Sequence, residues 1–478
     1  MGVRYFNLKR KRCLAPQVPD SGKGINMNIL VLNGSPTGKN SITLCTLRYI
    51  KKHFPDHNYK VLHVGQQIRK MENDKDFWIR PLKAADLVIF SYPVYTFLVP
   101  SQLHRFVELM KESGINFSEK YATQVSTSLH FYDITAHNFI EENLNDMGFK
   151  IIRGLSADME DLLHEKGQKE ALGFFDNVLW NIKEGFSKDL PKTVKPGKLK
   201  KCNSLAEPLK LKAGVSDKSK RIVIVADFSN STDKRLENMC ERLKFRLPFE
   251  TEIVDIGKFP FTGGCLGCFN CAADGKCIYK DGFDTFLREH IQSADATVYA
   301  YTVKDHSMGY RFKMFDDRQF CNGHRTVTMG KPVGYLVDGC LDAEENLRLL
   351  MEARAQVGGN PLSGIATNQY NPDGEIDKLA ATLFYDIEKG YLPPKNFYGV
   401  GGMKIFRDLI WQMQGLMRED HKFYKKHKFY DFPQKKSGAM LAMYLVGGMM
   451  RNPSIKKKMN GKMTEGMLMP FKKIIKEK

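Results

Sequence analysis

Short apolar runs alternate with amphipathic stretches along the chain as far as Gly390. The run Asn28–Asn33 is almost continuously apolar, which is typical of a parallel strand buried on both faces. Similar runs predict strands near residues 59–64, 86–90, 122–126 and 150–152, and helical spacing predicts helices over 101–111, 136–147 and 168–183. Strands that alternate with helices indicate a doubly wound α/β fold with a parallel sheet.

The same pattern begins again at Arg221–Ala226, and the two copies can be aligned. Residues 85–92 (ADLVIFSY) match residues 294–301 (ADATVYAY) at an offset of 209, whereas Ile29 matches Ile222 at an offset of 193. The second copy therefore carries 16 extra residues between its first and third strands. We predict a disordered leader over 1–26, a first α/β unit over 27–185, a linker over 186–220, a second α/β unit over 221–390, and a basic, mainly helical tail over 391–478.

Composition and length agree with a folded protein of several units. A chain of 478 residues is too long for one core, and 42% apolar with 11% aromatic residues is a globular composition. No apolar run reaches the about 18 residues of a membrane-spanning helix. The apolar stretch of an export signal is also missing, so we expect the ten cysteines to lie in a reducing, cytoplasmic environment.

The net charge of +19 lies mainly in the tail. From Tyr391 to the end there are 19 Lys or Arg and 6 Asp or Glu residues, which leaves only +6 for the chain up to Gly390. A basic tail could favour an anionic cofactor, a membrane surface or nucleic acid, and a solvated charged face is as good an interpretation as these three together; nucleic acid is not an expected partner. Within the tail, the apolar segment Ser437–Met450 is followed by a lysine run. This pattern fits a helix on a membrane surface or on a partner, and equally a helix packed on the α/β units.

Three polar or aromatic loops follow predicted strands of the first unit: Gly34–Thr43, Ser91–Tyr95 and Thr127–Tyr132. Ligands of open α/β sheets bind at the carboxyl edge of the strands, so these loops should lie together. The first loop joins a strand to a helix through small polar residues, an arrangement that aims N–H groups and hydroxyls at a phosphate. It lacks the spacing of the P-loop and of the dinucleotide fingerprint. A tight connection with Ser41 as helix cap is the alternative interpretation.

Four of the ten cysteines cluster in the second unit, in the pattern C-x2-C-x2-C-x5-C. They are Cys265, Cys268, Cys271 and Cys277, inside the interval that carries the 16 extra residues. Three cysteines spaced in this way can cap three corners of a [4Fe-4S] cluster from one short loop. Zinc sites usually pair two C-x2-C knuckles across a longer spacer. A cluster is therefore favoured, with zinc, or plain or disulfide-bonded thiols, as alternatives.

Other chemically active side chains have simpler interpretations. His306 is more typical of a surface-loop histidine than of a proton donor. The charged residues Asp316–Arg318 have the spacing of an ion cluster on a helix surface. We interpret His130 as a local hydrogen-bond partner and Cys321 as a core thiol, and we assign no catalytic acid.

The first unit resembles the NADPH-dependent FMN reductases of flavodoxin-like fold in two loops, Gly34-Ser35-Pro36 with Ser41 and Thr43, and Ser91-Tyr92-Pro93-Val94-Tyr95. The cysteine stretch, with Lys280-Asp281-Gly282-Phe283 after it, resembles the motif of the iron–sulfur flavoproteins in that superfamily. The resemblance covers about residues 27–390 and implies two tandem flavodoxin-like units.

The resemblance also implies roles for individual residues. The FMN phosphate would be held by Ser35, Asn40, Ser41 and Thr43. The isoalloxazine ring would lie along Pro93, Val94, Tyr95 and Thr96, with Thr127, Ser128 and Tyr132 as a third wall. The cluster would be ligated by Cys265, Cys268, Cys271 and Cys277.

The second unit departs from the family in its flavin loops. Its first loop, Asp227–Thr232, lacks the Gly-Ser-Pro turn, and its third-strand loop, Thr302–His306, lacks the Pro-Val-Tyr sequence. We therefore predict FMN in the first unit and the cluster in the second. Three hydroxyls, on Ser229, Ser231 and Thr232, leave a second FMN open.

These observations lead to one expected function and two alternatives. The resemblance implies an NAD(P)H-dependent FMN oxidoreductase that relays electrons through a [4Fe-4S] cluster to an unidentified acceptor. An electron-transfer flavoprotein without its own substrate is one alternative, and a zinc-stabilised, degenerate flavodoxin-like binding protein is the other. Flavin and cluster would meet within one chain or across the interface of a homodimer.

Overall fold

The computed structural model describes residues 26–188, 198–202 and 219–458. The predicted leader up to residue 25, most of the predicted linker and residues 459–478 of the predicted tail lie outside the described residues. The described residues up to His421 belong to one compact unit, and those from Lys422 onward belong to a second.

Two parallel sheets organise the first compact unit. Their strands are β1 (Asn28–Asn33), β2 (Asn58–Leu62), β3 (Leu87–Pro93), β4 (Tyr121–Ser128), β5 (Lys150–Ile151), β6 (Leu155–Asp158), β7 (Arg221–Asp227), β8 (Glu250–Asp255), β9 (Ala296–Thr302), β10 (Val333–Asp338) and β11 (Leu362–Thr367). The first sheet has the order β2-β1-β3-β4-β5, with β6 also pairing with β4, and the second has the order β8-β7-β9-β10-β11. Both follow the 2-1-3-4-5 order of flavodoxin-like folds, so the predicted fold class is confirmed.

The helices follow the strands as a doubly wound fold requires. They are α1 (Ile42–His53), α2 (Val64–Asn73), α3 (Asp76–Ala84), α4 (Ser101–Glu112), α5 (Asp133–Asp146), α6 (Glu165–Glu184), α7 (Arg235–Arg246), α8 (Cys271–Asp274), α9 (Phe283–Phe286), α10 (Gly309–Arg318), α11 (Glu345–Gly358), α12 (Pro372–Lys389), α13 (Phe397–Gln412), α14 (Arg418–Lys426), α15 (Ser437–Met450) and α16 (Pro453–Lys458). None of the helices in the described part combines the length and apolar character that crossing a membrane needs.

The register of the two sheets reproduces the insertion that the sequence predicts. In the first sheet Ile29 of β1 lies beside Leu87 of β3, and in the second Ile222 of β7 lies beside Ala296 of β9. Ile222 is the counterpart of Ile29 at the offset of 193, and Ala296 is the counterpart of Leu87 at the offset of 209. The strand pairing therefore confirms both offsets and with them the length of the insertion. The cysteine loop lies in this longer interval, between β8 and β9.

Equivalent helices of the two copies pack against each other. Helix α4 follows β3, α10 follows β9, and the two helices are in contact. Phe106 of α4 and Phe315 of α10, which the offset of 209 aligns, are both fully buried in one core that draws on both sheets. This shared core explains why the two sheets form one compact unit. Because the two α/β units are not separated, their predicted boundaries stay predictions.

A repeated turn precedes each of these helices. Thr96 and Phe97 have φ angles of 40° and 70°, and the aligned residues Asp305 and His306 have angles of 52° and 61°. Such left-handed backbone is uncommon for non-glycine residues and persists only where the surroundings hold it. Residues aligned by the offset of 209 therefore share their backbone conformation in the two copies.

His306 lies at the interface of the two sheets, and its interpretation as a surface-loop histidine is wrong. Only 10% of its side chain is exposed. Its Nδ1 lies 2.9 Å from Glu344 Oε2, and its Nε2 lies 2.9 Å from Asp146 Oδ2 at the end of α5. Burial alone would lower the pKa of His306, but hydrogen bonds to these two carboxylates raise it to about 10. The imidazolium thus joins the two copies.

We predict that His306→Gln lowers the free energy of unfolding by about 3 kcal/mol at neutral pH, because it removes the cation that bridges two partly buried carboxylates. The folded-state pKa lies above the unfolded value of 6.5, so the contribution is complete below about pH 6.5 and is lost as pH rises through about 10. Urea unfolding of both proteins from neutral pH to about pH 11 should show the difference shrinking.

His130→Gln is the matched control. His130 also pairs with a carboxylate at 2.9 Å, that of Asp133, but 56% of its side chain is exposed. Its loss should cost less than about 1 kcal/mol. Equal costs for the two variants would contradict the role of His306.

Candidate functional site

The first loop of the site is closed by its own hydrogen bonds. The backbone N–H of Ser35 donates to Asn33 Oδ1 at 3.2 Å, and the hydroxyls of Ser35 and Thr37 lie 2.8 Å apart. Ser41 Oγ accepts from the N–H of Leu44 at 3.3 Å and caps α1. The capping role considered in the sequence analysis therefore holds. Ser35 and Ser41 nevertheless line the same cavity, with Asn40 between them.

The second loop leaves β3 and turns sharply at the two left-handed residues. The N–H of Val94 donates to the carbonyl of Thr127 at 3.2 Å, which ties this loop to the end of β4. Tyr95 and Leu98 exchange two backbone hydrogen bonds of 2.8 and 2.9 Å around the turn. The turn places Pro93, Val94, Tyr95 and Thr96 along one wall of the cavity.

The third loop contributes fewer of the predicted residues. Thr127 and Ser128 line the cavity, and the Thr127 hydroxyl is bonded to that of Thr43. Tyr132 does not line it: its hydroxyl donates to the carbonyl of Tyr398 at 2.8 Å. Phe131 lines the cavity beside this position.

A helix of the second sheet holds the second loop of the first. Lys313 and Asp317 on α10 are an ion pair in which neither side chain is exposed. Lys313 Nζ donates to the carbonyl of Tyr95 at 2.9 Å. Asp317 accepts from the Thr96 hydroxyl at 2.6 Å and from the N–H of Ser101 at 2.8 Å. The prediction of a surface ion cluster at Asp316–Arg318 is wrong, because these residues are buried between the two copies.

The next residue of the same helix holds the cysteine loop. Arg318 donates to both carboxylate oxygens of Asp281 at 2.8 Å and to the carbonyl of Gly263 at 2.9 Å. Asp281 also accepts from the N–H of Thr262 at 3.0 Å. Burial acts to raise the pKa of Asp281, but the hydrogen bonds from Arg318 and Thr262 lower it to about 2. The loop is therefore fixed at its start, before the first cysteine.

The cysteine loop also rests directly on the first copy. Gln102 Nε2 of α4 donates to the carbonyl of Cys265 at 3.2 Å. Gly267 has a φ of +60°, and a Cβ at this position would collide with the hydroxyl of Tyr95. Tyr95, a residue of the predicted isoalloxazine wall, thus contacts the cysteine loop at Gly267.

The four cysteines of the motif are free thiols in the structure. Cys268 is exposed, and the other three are partly buried. Burial raises the pKa of Cys271 to about 11, and that of Cys321 to about 12. Cys321 lies near enough to Cys271 and Cys277 for their charges to raise its pKa further. Sequence spacing could not find this fifth thiol, because a whole strand and helix, β9 and α10, separate it from Cys277 in the chain.

One cavity of about 510 Å³ is lined by the three loops of the first copy and by the cysteine loop of the second. Its lining includes ten of the eleven predicted flavin-site residues and all four cysteines: Ser35, Asn40, Ser41, Thr43, Pro93, Val94, Tyr95, Thr96, Thr127, Ser128, Cys265, Cys268, Cys271 and Cys277. Sequence analysis missed an apolar part of the lining, which includes Phe320, Phe406, Met413 and Met417. The sequence shows that these side chains are apolar, but it does not show that they line a cavity.

The corresponding loop of the second copy is anionic. Asp227, at the end of β7, is 1% exposed and accepts from the N–H of Ser229 at 3.0 Å and from its hydroxyl. The hydroxyl of Ser231 is bonded to the carboxylate of Glu237. Fully buried Asp338 at the end of β10 pairs with Arg235 at 3.0 Å. Two of the three hydroxyls that could bind a second phosphate, those of Ser229 and Ser231, are therefore hydrogen-bonded to carboxylates.

Comparison with known families finds a match for the first copy. Residues 27–139 match the family of NADPH-dependent FMN reductases, a range that contains all three loops of the first copy and none of the four cysteines. The first copy is therefore similar to this family. A comparison with curated proteins found no significant match.

Solved structures resemble part of the chain. An NAD(P)H:quinone oxidoreductase from Methanothermobacter marburgensis has 13% identity and a TM-score of 0.27, covering 33% of this chain and 97% of its own. An NADH:FMN oxidoreductase in its apo form has 18% identity and a TM-score of 0.29, covering 34% and 92%. An FMN-dependent NADH-azoreductase from Bacillus anthracis in complex with FMN has 11% identity and a TM-score of 0.25, covering 34% and 100%.

We predict that Gly267→Ala destabilises the protein more than Gly282→Ala. Both glycines have positive φ, +60° and +75°, so both variants pay a backbone cost of roughly 1–2 kcal/mol. A Cβ at Gly282 has nothing within 4 Å, whereas one at Gly267 collides with Tyr95. The collision should add about 1–3 kcal/mol in urea unfolding of the cofactor-free protein.

A double variant completes the test. Tyr95→Phe removes the hydroxyl, so combining it with Gly267→Ala should restore part of the extra loss in unfolding free energy. It should not change the loss caused by Gly282→Ala. Equal costs of the two alanine variants would show that the cysteine loop does not rest on Tyr95.

Proposed function

We propose that the protein is an NAD(P)H-dependent flavin oxidoreductase that uses FMN and a [4Fe-4S] cluster to relay electrons to an acceptor. The first copy would hold FMN on its three loops, and the second would hold the cluster on Cys265, Cys268, Cys271 and Cys277. One observation supports this pairing above others: a single cavity is lined by both sets of residues.

The first loop suits a phosphate. Two buried hydroxyls, those of Ser35 and Ser41, face the cavity at the start of α1. Lys39 and Arg48 lie close enough to His63 for their positive charges to lower its pKa, after the larger effect of burial. Cations and small donors at a helix start favour an anion, in contrast to the carboxylates of the second copy.

The spacing of the thiols favours a cluster over zinc. Tetrahedral zinc with Zn–S bonds of about 2.3 Å holds its sulfurs roughly 3.8 Å apart. Within the described residues, no three of the four sulfurs lie within 4.8 Å of one another. A cubane binds each thiolate at a separate iron corner and so accepts wider spacing. Because burial raises the pKa of Cys271 to about 11, a bound metal would have to displace its proton.

The protein's part in the chemistry is placement. FMN, when bound, accepts a hydride from a nicotinamide nucleotide, and a [4Fe-4S] cluster exchanges single electrons. Tyr95, which contacts the cysteine loop at Gly267, would lie along the flavin, and Lys313 would fix its backbone carbonyl. The apolar part of the lining, with Phe320 and Phe406, would suit a donor or acceptor with an aromatic ring. Both halves of the site come from one chain, so a homodimer is not needed to complete it.

The proposal predicts a defined composition after anaerobic reconstitution with FMN, iron and sulfide. We expect one FMN per chain, because the second phosphate loop is anionic, and about four irons. The visible spectrum should show flavin bands and a broad brown shoulder, both bleached by NADH or NADPH. Bound zinc without iron would favour the binding protein, and bleaching only by a reduced protein partner would favour the electron carrier. Two FMN per chain would overturn the division between the copies.

Cys268→Ser separates the two cofactors. Loss of one ligand should remove the brown shoulder and most of the iron, while FMN remains because none of the three flavin loops contains Cys268. Cys340→Ser, which changes a cysteine outside the cavity lining, should retain both cofactors. Loss of FMN from Cys268→Ser at wild-type unfolding free energy would show that the two sites depend on each other.

A further inference from the structure

Helix α15 in the second compact unit exposes apolar side chains on most of its surface. Its exposed fractions are 47% for Met440, 63% for Leu441, 66% for Met443, 78% for Tyr444 and 62% for Leu445. At 100° per residue these side chains and Met449 cover about 240° of the helix circumference. A surface helix of a soluble protein usually turns an apolar stripe inward and a polar face outward. The apolar surface of α15 is therefore unpartnered within the described residues.

Positive charges bracket this apolar helix. Between Ser437 and Met450 there is no charged residue at all. Two lysines, Lys435 and Lys436, come directly before it, and Arg451 follows it. From 437 to the end the sequence has nine Lys or Arg and two Asp or Glu residues, a balance of +7. The charge thus lies beside the apolar surface and not upon it.

A groove along the helix combines both features. Its volume is about 720 Å³, and it is lined by the apolar residues Met440, Met443 and Tyr444, with Lys436 and Arg451 among its polar residues. The lysine and arginine side chains would meet anionic groups on either side of an apolar insertion. A tyrosine beside them suits the boundary between water and hydrocarbon.

The length of α15 decides how it could meet a bilayer. Fourteen residues extend about 21 Å, whereas the hydrocarbon core is about 30 Å thick. The helix is therefore too short to span and long enough to lie in the interface. Basic residues on both sides would attract anionic headgroups, and the apolar side chains would enter the acyl boundary.

We propose that α15 and its flanking basic residues form a docking surface for an anionic membrane. The occupant is a bilayer that contains acidic lipids, and the contact holds the second compact unit in the plane of its surface. The proposal is independent of the flavin and cluster sites, since no residue of α15 lines their cavity. It gives the excess charge of the tail a specific role.

Vesicle flotation of the full chain tests this surface. Phosphatidylcholine vesicles that contain phosphatidylglycerol should carry the protein, and pure phosphatidylcholine vesicles should not. Leu441→Asp with Leu445→Asp should weaken binding about tenfold or more, because it places charge on the inserted face. Arg451→Glu should weaken binding at low salt and have less effect at high salt.

Leu163→Asp provides the control. Leu163 is a similarly exposed leucine, 76% exposed, but it lies in the first copy and outside α15. This variant should bind vesicles as wild type does, and circular dichroism should show that all variants are folded. Equal binding to neutral and anionic vesicles would overturn the proposal. So would a dimer, seen by light scattering and abolished by Leu441→Asp with Leu445→Asp, in a protein that ignores vesicles.

Discussion

A charge pair without access to solvent holds the second loop of the first copy beside the cavity. Lys313 and Asp317 contribute the hydrogen bonds that fix Tyr95, Thr96 and Ser101, and they come from the other copy of the fold. Separating the copies would remove these hydrogen bonds, and the left-handed turn would lose its support. The conformation of the first copy therefore depends on a helix of the second, and neither half of the site is complete alone.

The same helix sets the separation between the two loops. Lys313, Asp317 and Arg318 follow one another within two turns of α10, so their partners cannot shift independently. Lys313 and Asp317 hold the turn at Tyr95, while Arg318 holds the start of the cysteine loop through Asp281 and Gly263. A rigid helix that holds both loops makes the separation between them a property of the fold. Loops alone would leave this distance to their own mobility.

The fold, and the loops that lie together at the carboxyl edge of the first sheet, could be predicted from the sequence, because both depend on local patterns. Buried strands appear as continuous apolar runs, and aligning the repeat was enough to measure the length of the insertion. Sequence patterns could not show which face of a helix is covered. Asp317 and His306 look like surface residues by spacing, yet each is buried by residues that lie far away in the chain. The core position predicted for Cys321 is confirmed, but its closeness to Cys271 and Cys277, and the contact of Tyr132 with Tyr398, are visible only in the folded chain.

The repeated left-handed turn has a consequence for how the two copies could diverge. Contact between equivalent helices is the geometry of a two-fold interface, here formed within one chain. In a symmetric dimer every substitution occurs twice, so the same turn sequence must both line a ligand site and form the subunit interface. In this chain one turn carries Thr96 and Phe97 at the cavity, and the other carries Asp305 and His306 in a charged contact. Because the two copies are joined in one chain and differ in sequence, the same turn conformation carries cavity residues in one copy and a charged contact in the other.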